Sequence, residues 1–164
     1  RRLFASEWRF EDRNRRTPRD PVNVLLSFGY TLLTQVAAGA VQTVGLDPYA
    51  GFLHEVVYNR PALALDLLEE FRAPIADSVV LTLVNNRRLT AADFTANETT
   101  GGVYLSRDGL RVFLQAFSAR LHARITHPLA GRPLTYQKCL EVQARLLAKT
   151  ITGDLPAYRP LRVR

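Results

Sequence analysis

The chain has 164 residues, 47% hydrophobic and 23% charged, enough for one sizeable core and, by length, a single domain. Nine glycines and nine prolines without periodicity exclude collagen, solenoid and mucin-like architectures, and a single cysteine, Cys139, excludes a disulfide framework or multi-cysteine zinc site and fits a reducing cytoplasm. The net charge of +7 rests on arginine, which supplies 20 of the 22 basic residues and suits bidentate phosphate contacts.

The chain opens on Arg1-Arg2, contains no methionine and shows no signal peptide, so it is expected to be a piece of a longer protein. Residues 3 to 11 read as the tail of a helix, followed by an arginine-rich connector over 13 to 19. Asp20-Pro21 is an N-cap and first helical residue, and it opens a helix to about Val44 that stops at Gly45. Residues 21 to 46 carry no charge, and the preceding arginines resemble a positive-inside flank, which raises a membrane span. Asn23, Ser27, Thr31, Thr34, Gln35, Gln42 and Thr43 bring polar groups into that stretch, so a central helix buried among others is the simpler expectation, with no membrane.

Asp47-Pro48 starts a short segment reaching His54, and Pro61 opens a helix to about Arg72. Pro74 sets a boundary before a third helix from Ile75 to Asn86. Residues 97 to 105, with Gly101-Gly102, predict a small hairpin. Ser106 then caps a helix with apolar residues at Leu110, Phe113, Leu114, Phe117, Leu121 and Ile125, and Thr135 caps a last helix ending at Gly153. The expected class is all-α, with at most one short pair of strands.

Net charge runs +4 over residues 1 to 19, −5 over 20 to 106 and +8 over 107 to 164. Basic flanks around an acidic middle suit a metal site within a nucleic-acid-binding surface, although a solvated basic exterior gives the same numbers. The acidic middle includes the helix from Pro61, where leucines cover nearly the whole circumference and yet Asp66, Glu69 and Glu70 are present. Buried carboxylates are costly unless paired or bound to a cation. Asp66 and Glu69 share a face, and His54 precedes the helix by a short connection. One imidazole with carboxylate oxygens suits Mn²⁺ or Mg²⁺. The alternative pairs Asp66 and Glu69 with Arg60 and Arg72 and leaves His54 as a cap or core residue. His122 and His127 read as surface or phosphate-facing residues, and Cys139 as a small core residue.

Asp20-Pro21-Val22-Asn23 through Leu33, Gly45-Leu46-Asp47-Pro48 through Gly51-Phe52-Leu53-His54, and Asp66-Leu67-Leu68-Glu69 through Phe71-Arg72 together resemble the CRISPR-associated integrase family Cas-one (Cas1). The likeness extends to Gln143-Ala144 and the tail Tyr158-Arg159-Pro160. It implies a helical catalytic domain, residues 1 to 164, truncated at its amino-terminal end and without the family's amino-terminal β-domain. It also implies a metal-dependent Glu, His and Glu/Asp set, in which His54 and Glu69 are catalytic ligands and Asp66 an auxiliary ligand or a group behind them. Arg60 and Arg72 match basic, DNA-facing positions.

The remaining family glutamate falls before Arg1 when Leu3-Phe4 is matched to the family's aromatic pair, and Glu7 lies too close to Asp20 to replace it. The fragment is therefore expected to be inactive alone. The implied activity is joining of spacer DNA into a CRISPR array by 3′-hydroxyl attack on a phosphodiester, with Mg²⁺ or Mn²⁺, as a homodimer bridged by a Cas-two (Cas2) dimer. The alternative is a non-catalytic nucleic-acid-binding or assembly module, possibly part of a larger fusion.

Overall fold

The computed structural model describes residues 8, 10–14, 18–97 and 99–162. They form α1 (Pro21–Thr43), α2 (Ala62–Leu68), a π-helical turn (Arg72–Asp77), α3 (Ser78–Asn85), β1 (Phe94–Ala96), β2 (Val103–Leu105), α4 (Arg107–His122), β3 (Arg124–Thr126), β4 (Pro133–Thr135) and α5 (Tyr136–Ile151). The class is all-α, as the periodicity predicts, with two small antiparallel strand pairs rather than one. Most of the expected helix over residues 3 to 11, with Leu3, Phe4 and Glu7, lies outside the described residues, and Phe10 and Glu11 are not helical.

Contacts divide the chain into two compact units, Arg1–Thr31 with Ile75–Arg120, and Leu32–Pro74 with Leu121–Arg164. In the first, the Asp-Pro-Val-Asn motif is a structural hub. Asp20 caps α1 by accepting from the Asn23 backbone N–H at 2.9 Å and from its Nδ2 at 2.7 Å. The fully buried Asn23 amide also donates to the Asp12 carbonyl at 2.8 Å and accepts from the Asn14 backbone N–H at 3.0 Å and Arg13 Nη1 at 2.8 Å. All four hydrogen-bonding positions of that amide are filled, which is the condition for burying it without penalty. Arg13 donates further to Ser27 Oγ at 3.0 Å, so this connector arginine serves the fold.

Around the hub, Phe28, Phe113 and Phe117 pack ring on ring, at centroid distances of 5.2 and 6.2 Å. Gly29 lets Ala76 and Phe113 approach, each 3.4 Å from where a Cβ would stand. β1 and β2 pair Thr95 with Tyr104, and Ser106 Oγ caps α4 by accepting from Gly109 N–H at 3.0 Å.

In the second unit α2 buries Ala62, Leu63, Ala64, Leu67 and Leu68, each large side chain contributing about 1.5–3 kcal/mol. It contacts α5, whose buried face is Tyr136, Cys139, Leu140, Gln143 and Ala144. Thr135 Oγ1 caps α5 by accepting from Lys138 N–H at 3.2 Å.

Three expectations change. Pro74 does not separate two helices: it sits inside the π-helical turn that runs into α3, whose wider ladder tolerates a residue without an N–H. Ile125 continues the apolar spacing of α4 but lies in β3, opposite Leu134. Finally, α1 is not buried on all sides. Thr31, Gln35, Gly39 and Gln42 are exposed along one face, while Leu25, Leu33, Ala37 and Val41 are fully buried. By length and composition this helix passes for a membrane span, and a buried stripe of this kind is also that of a core helix in a soluble protein.

Candidate active site

The segment between α1 and α2 is held at both ends by backbone. Gly45 takes φ +81°, and the Leu46 N–H reaches back to the Val41 carbonyl at 3.2 Å, closing α1. Pro61 offers α2 no side-chain cap, and the Pro48 carbonyl serves instead, accepting from Leu63 N–H at 2.9 Å and Ala64 N–H at 3.3 Å. Gly51 then passes so close to α2 that a Cβ there would stand 2.5 Å from the Ala62 Cβ and 3.1 Å from Asp66 Oδ2. That approach delivers the next three residues to the Asp66 carboxylate.

Asp66, its side chain 8% exposed, accepts four hydrogen bonds. Oδ2 takes the N–H groups of Phe52 at 2.6 Å and Leu53 at 3.0 Å, while Oδ1 takes the His54 N–H at 2.9 Å and His54 Nδ1 at 2.7 Å. Burial alone would raise its pKa, but the hydrogen bonds from Leu53, Phe52 and His54 outweigh burial and hold it below the usual carboxylate value. An ionised carboxylate only accepts, so Nδ1 carries the proton of this bond, and in the neutral ring Nε2 is then the nitrogen with the lone pair. Carboxylates behind metal-binding histidines fix the tautomer in the same way.

Glu69, one turn further, is 42% exposed in its side chain and pairs with Arg72 Nη1 at 2.7 Å. Such an exposed i,i+3 pair is worth well under 1 kcal/mol and yields readily to a stronger cation. Glu70 points elsewhere. It accepts from the Tyr158 hydroxyl, from Gln143 Nε2 at 2.8 Å and from the Leu161 N–H at 2.5 Å. Gln143 Nε2 also lies 2.8 Å from Tyr158 and 3.1 Å from the Arg159 carbonyl, so the carboxyl-terminal tail is clipped to α2 and α5. Burial and then Glu70 push the Tyr158 phenol well above its ordinary value. An apolar cavity of about 360 Å³ opens between these groups, lined by Phe52, Leu63, Leu67, Leu147 and Tyr158, with Asp66, Glu69 and Glu70 on its wall.

The structure thus brings His54 and Asp66 into direct contact and puts Asp66 and Glu69 on one cavity wall. Among the described residues, no three His, Cys, Asp or Glu side chains form a group able to hold a metal ion. Both Asp66 oxygens are taken up by the loop, which leaves His54 Nε2 and Glu69 as the donors on offer. Arg60 is half-buried and gives its backbone N–H to the Val57 carbonyl at 3.1 Å, while Arg72 faces Glu69.

His127, expected at the surface, is fully buried. The β3–β4 turn folds over it, and its Nδ1 accepts from Leu129 N–H and Ala130 N–H, both at 3.2 Å. Burial lowers its pKa, only partly offset by Gln143 and Glu70. His122 is exposed at the end of α4. Cys139 is a core residue, as expected, and its thiol pKa is raised by burial. Sequence reading missed Tyr158, Gln143 and Glu70 as a unit, although the first two fall in segments that carry the family resemblance.

The mostly helical fold, with only two small strand pairs, is the one anticipated from the motifs. The family model described as "CRISPR associated protein Cas1" matches residues 1–119, and the chain belongs to that family. It is 52% identical over 162 residues to CRISPR-associated endonuclease Cas1 3 of Thermus thermophilus, covering 99% of this chain and 48% of that protein. It is 46% identical to a CRISPR-associated exonuclease Cas4/endonuclease Cas1 fusion of Geobacter sulfurreducens, covering 91% of this chain and 26% of that one. Among solved structures, a casposase bound to integration product superposes with a TM-score of 0.86 at 29% identity, over 94% of this chain and 44% of the casposase. The chain spans about half the length, or less, of the relatives it matches.

Proposed function

We propose that this chain supplies part of the active centre of a DNA integrase and endonuclease that joins spacer DNA into a CRISPR array. The observation that carries the reading is the Asp66-held His54, whose Nε2 is left free as a donor, with Glu69 half-exposed on the adjoining helix face. The names of the relatives, endonuclease and casposase, support the same chemistry.

The donor set suits a hard divalent cation, Mg²⁺ or Mn²⁺, held by His54 and Glu69. Among the described residues no third donor joins them, and the proposal assigns it to residues outside these. When bound, the ion stabilises negative charge on the attacked phosphodiester and its leaving oxygen. The chain's own residues do the rest. Asp66 fixes the His54 ring and keeps its proton on Nδ1, and Arg60 and Arg72 supply positive charge for the phosphate. The arginines of residues 107 to 164 hold the strands. A 3′ hydroxyl attacks the repeat phosphodiester in line, and water in its place gives cleavage. The working assembly is a homodimer with a Cas2 dimer, in the cytoplasm.

The test is strand transfer of a labelled oligonucleotide into a repeat-bearing plasmid, by the chain with its upstream glutamate helix restored, with Mg²⁺ or Mn²⁺ and Cas2. His54→Ala or Glu69→Ala abolishes it while circular dichroism stays unchanged, and Asp66→Ala does less. Transfer that is equally fast with His54 replaced overturns the reading. Because no three-donor group forms among the described residues, a second reading is a non-catalytic nucleic-acid-binding module. It predicts salt-sensitive DNA binding, with a slope of roughly 0.9 per phosphate contact, and no His54-dependent chemistry.

A further inference from the structure

Between Asp108 and Glu141 the chain has five bases and no acid, and the β3–β4 ribbon lies inside that stretch. The ribbon is anchored from within. Tyr136 N–H closes its base on the Ala123 carbonyl at 3.1 Å, Ile125 pairs with Leu134 on the half-buried face, and the buried His127 ring takes the Leu129 and Ala130 N–H groups, both at 3.2 Å. The other face carries Arg124, Thr126 and Pro133, all exposed. The Gly131 N–H returns to the His127 carbonyl at 2.9 Å with φ +62°, and a Cβ there would meet nothing within 4 Å, so the tip stands clear of the domain. That tip, Pro128-Leu129-Ala130-Gly131, is exposed throughout, with Leu129 at 46%, and an exposed Arg132 follows it. Among the described residues, the guanidinium groups of Arg124 and Arg132 have no ion-pair or hydrogen-bond partner, whereas Lys138 on the first turn of α5 is paired with Glu141.

We propose that this ribbon is a wing for duplex DNA, its apolar tip entering the minor groove and Arg124 and Arg132 holding adjoining phosphates. It deepens the reading above and rests on the DNA binding in it. Charge selects the occupant: a run of five bases without an acid complements a polyanion, and a second copy of this chain would bring another +7 against the same arginines. The tip selects the groove. It has no side-chain donor or acceptor with which to read the major-groove code, while proline and leucine are among the wedges that minor-groove proteins insert at base steps. Held by His127, the tip is already ordered before DNA arrives, which lowers the entropic cost of docking it.

Fluorescence anisotropy on a blunt labelled duplex, over a salt series, compares the whole chain with Arg124→Gln, Arg132→Gln and Leu129→Ala. Each arginine variant is expected to weaken binding about 10-fold and to lower the salt slope by roughly 0.9. Leu129→Ala weakens it about 4-fold and leaves the slope unchanged. Netropsin, which fills the minor groove of A·T tracts, displaces the wild-type chain from an A·T-rich duplex. Wild-type affinity and slope in both arginine variants overturn the inference. So does a netropsin-filled duplex that binds as tightly as the free one. A wild-type dimer in sedimentation that Leu129→Ala dissociates, with DNA affinity intact, gives the tip to a second copy and overturns it too. The integrase reading stands through each of these outcomes, because His54-dependent strand transfer is scored separately. A wild-type chain that binds no duplex overturns this inference together with the DNA binding on which it rests.

Discussion

Asp66 holds His54 twice with one oxygen, taking the backbone N–H at 2.9 Å and the ring Nδ1 at 2.7 Å. The ring is thus fixed in position and in tautomer by the same atom. Asp66→Asn keeps the shape but turns an amide N–H₂ toward a set of donors, leaving at least one buried N–H unpaired at about 1–3 kcal/mol. Hydrogen exchange at the amides of Phe52, Leu53 and His54 is expected to speed up well before global unfolding does. Unchanged protection of those three amides contradicts the arrangement.

Gly51→Ala is a sharper test of the same loop. Its Cβ meets both the Ala62 Cβ at 2.5 Å and the Ala62 carbonyl carbon at 2.9 Å, neither of which can rotate away. Overpacking of this kind costs about 1–3 kcal/mol in denaturant unfolding. A loss below about 0.5 kcal/mol would mean that the loop is free to lift from α2.

Tyr158→Phe removes one hydroxyl and leaves Glu70 with two of its three donors. The expected loss is about 1–3 kcal/mol, and the Leu161 amide, which also depends on Glu70, should lose exchange protection with it. If Leu161 keeps its protection, the tail is held by packing alone.

Acid should destabilise the protein in two separate windows. His127 is buried with its folded pKa below the ordinary value of about 6.5, so its contribution is complete above that pH and is lost as pH falls toward the lower folded value. The slope reaches at most about 1.4 kcal/mol per pH unit for one proton. Asp66, also lowered, keeps its contribution down to about pH 3.9 and loses it below. His127→Gln is expected to flatten the upper window and leave the lower one. Persistence of the upper slope in that variant would assign it to another group.

The caps were legible from sequence, because Asp20, Ser106 and Thr135 act on N–H groups within three residues and need no tertiary context. The two misplaced boundaries have local causes. Ile125 fits a helical spacing that the β3–β4 pairing overrides, and Pro74 is absorbed by a π-helical turn that apolar periodicity does not mark. At the site, the spacing of Asp66 from His54 signalled their meeting, but its form was hidden: the carboxylate binds backbone N–H groups, which are the same in every sequence. Glu70 was read as one acid among three. Its partners Gln143 and Tyr158 lie 73 and 88 residues away, beyond any periodicity. The burial of His127 depends on a turn that closes over it from the following residues.

The Asn23 amide makes residues 12 to 14 part of the folded body rather than a tether. Its bonds to the Asp12 carbonyl and the Asn14 N–H act on the main chain, so side chains other than proline at position 14 preserve them, and only the path of the backbone is constrained. For anyone grafting this domain onto another protein, the seam therefore belongs ahead of Asp12. A cut at Pro21, where the first long helix begins and where an engineer would naturally place it, strands a buried amide with all four of its partners gone.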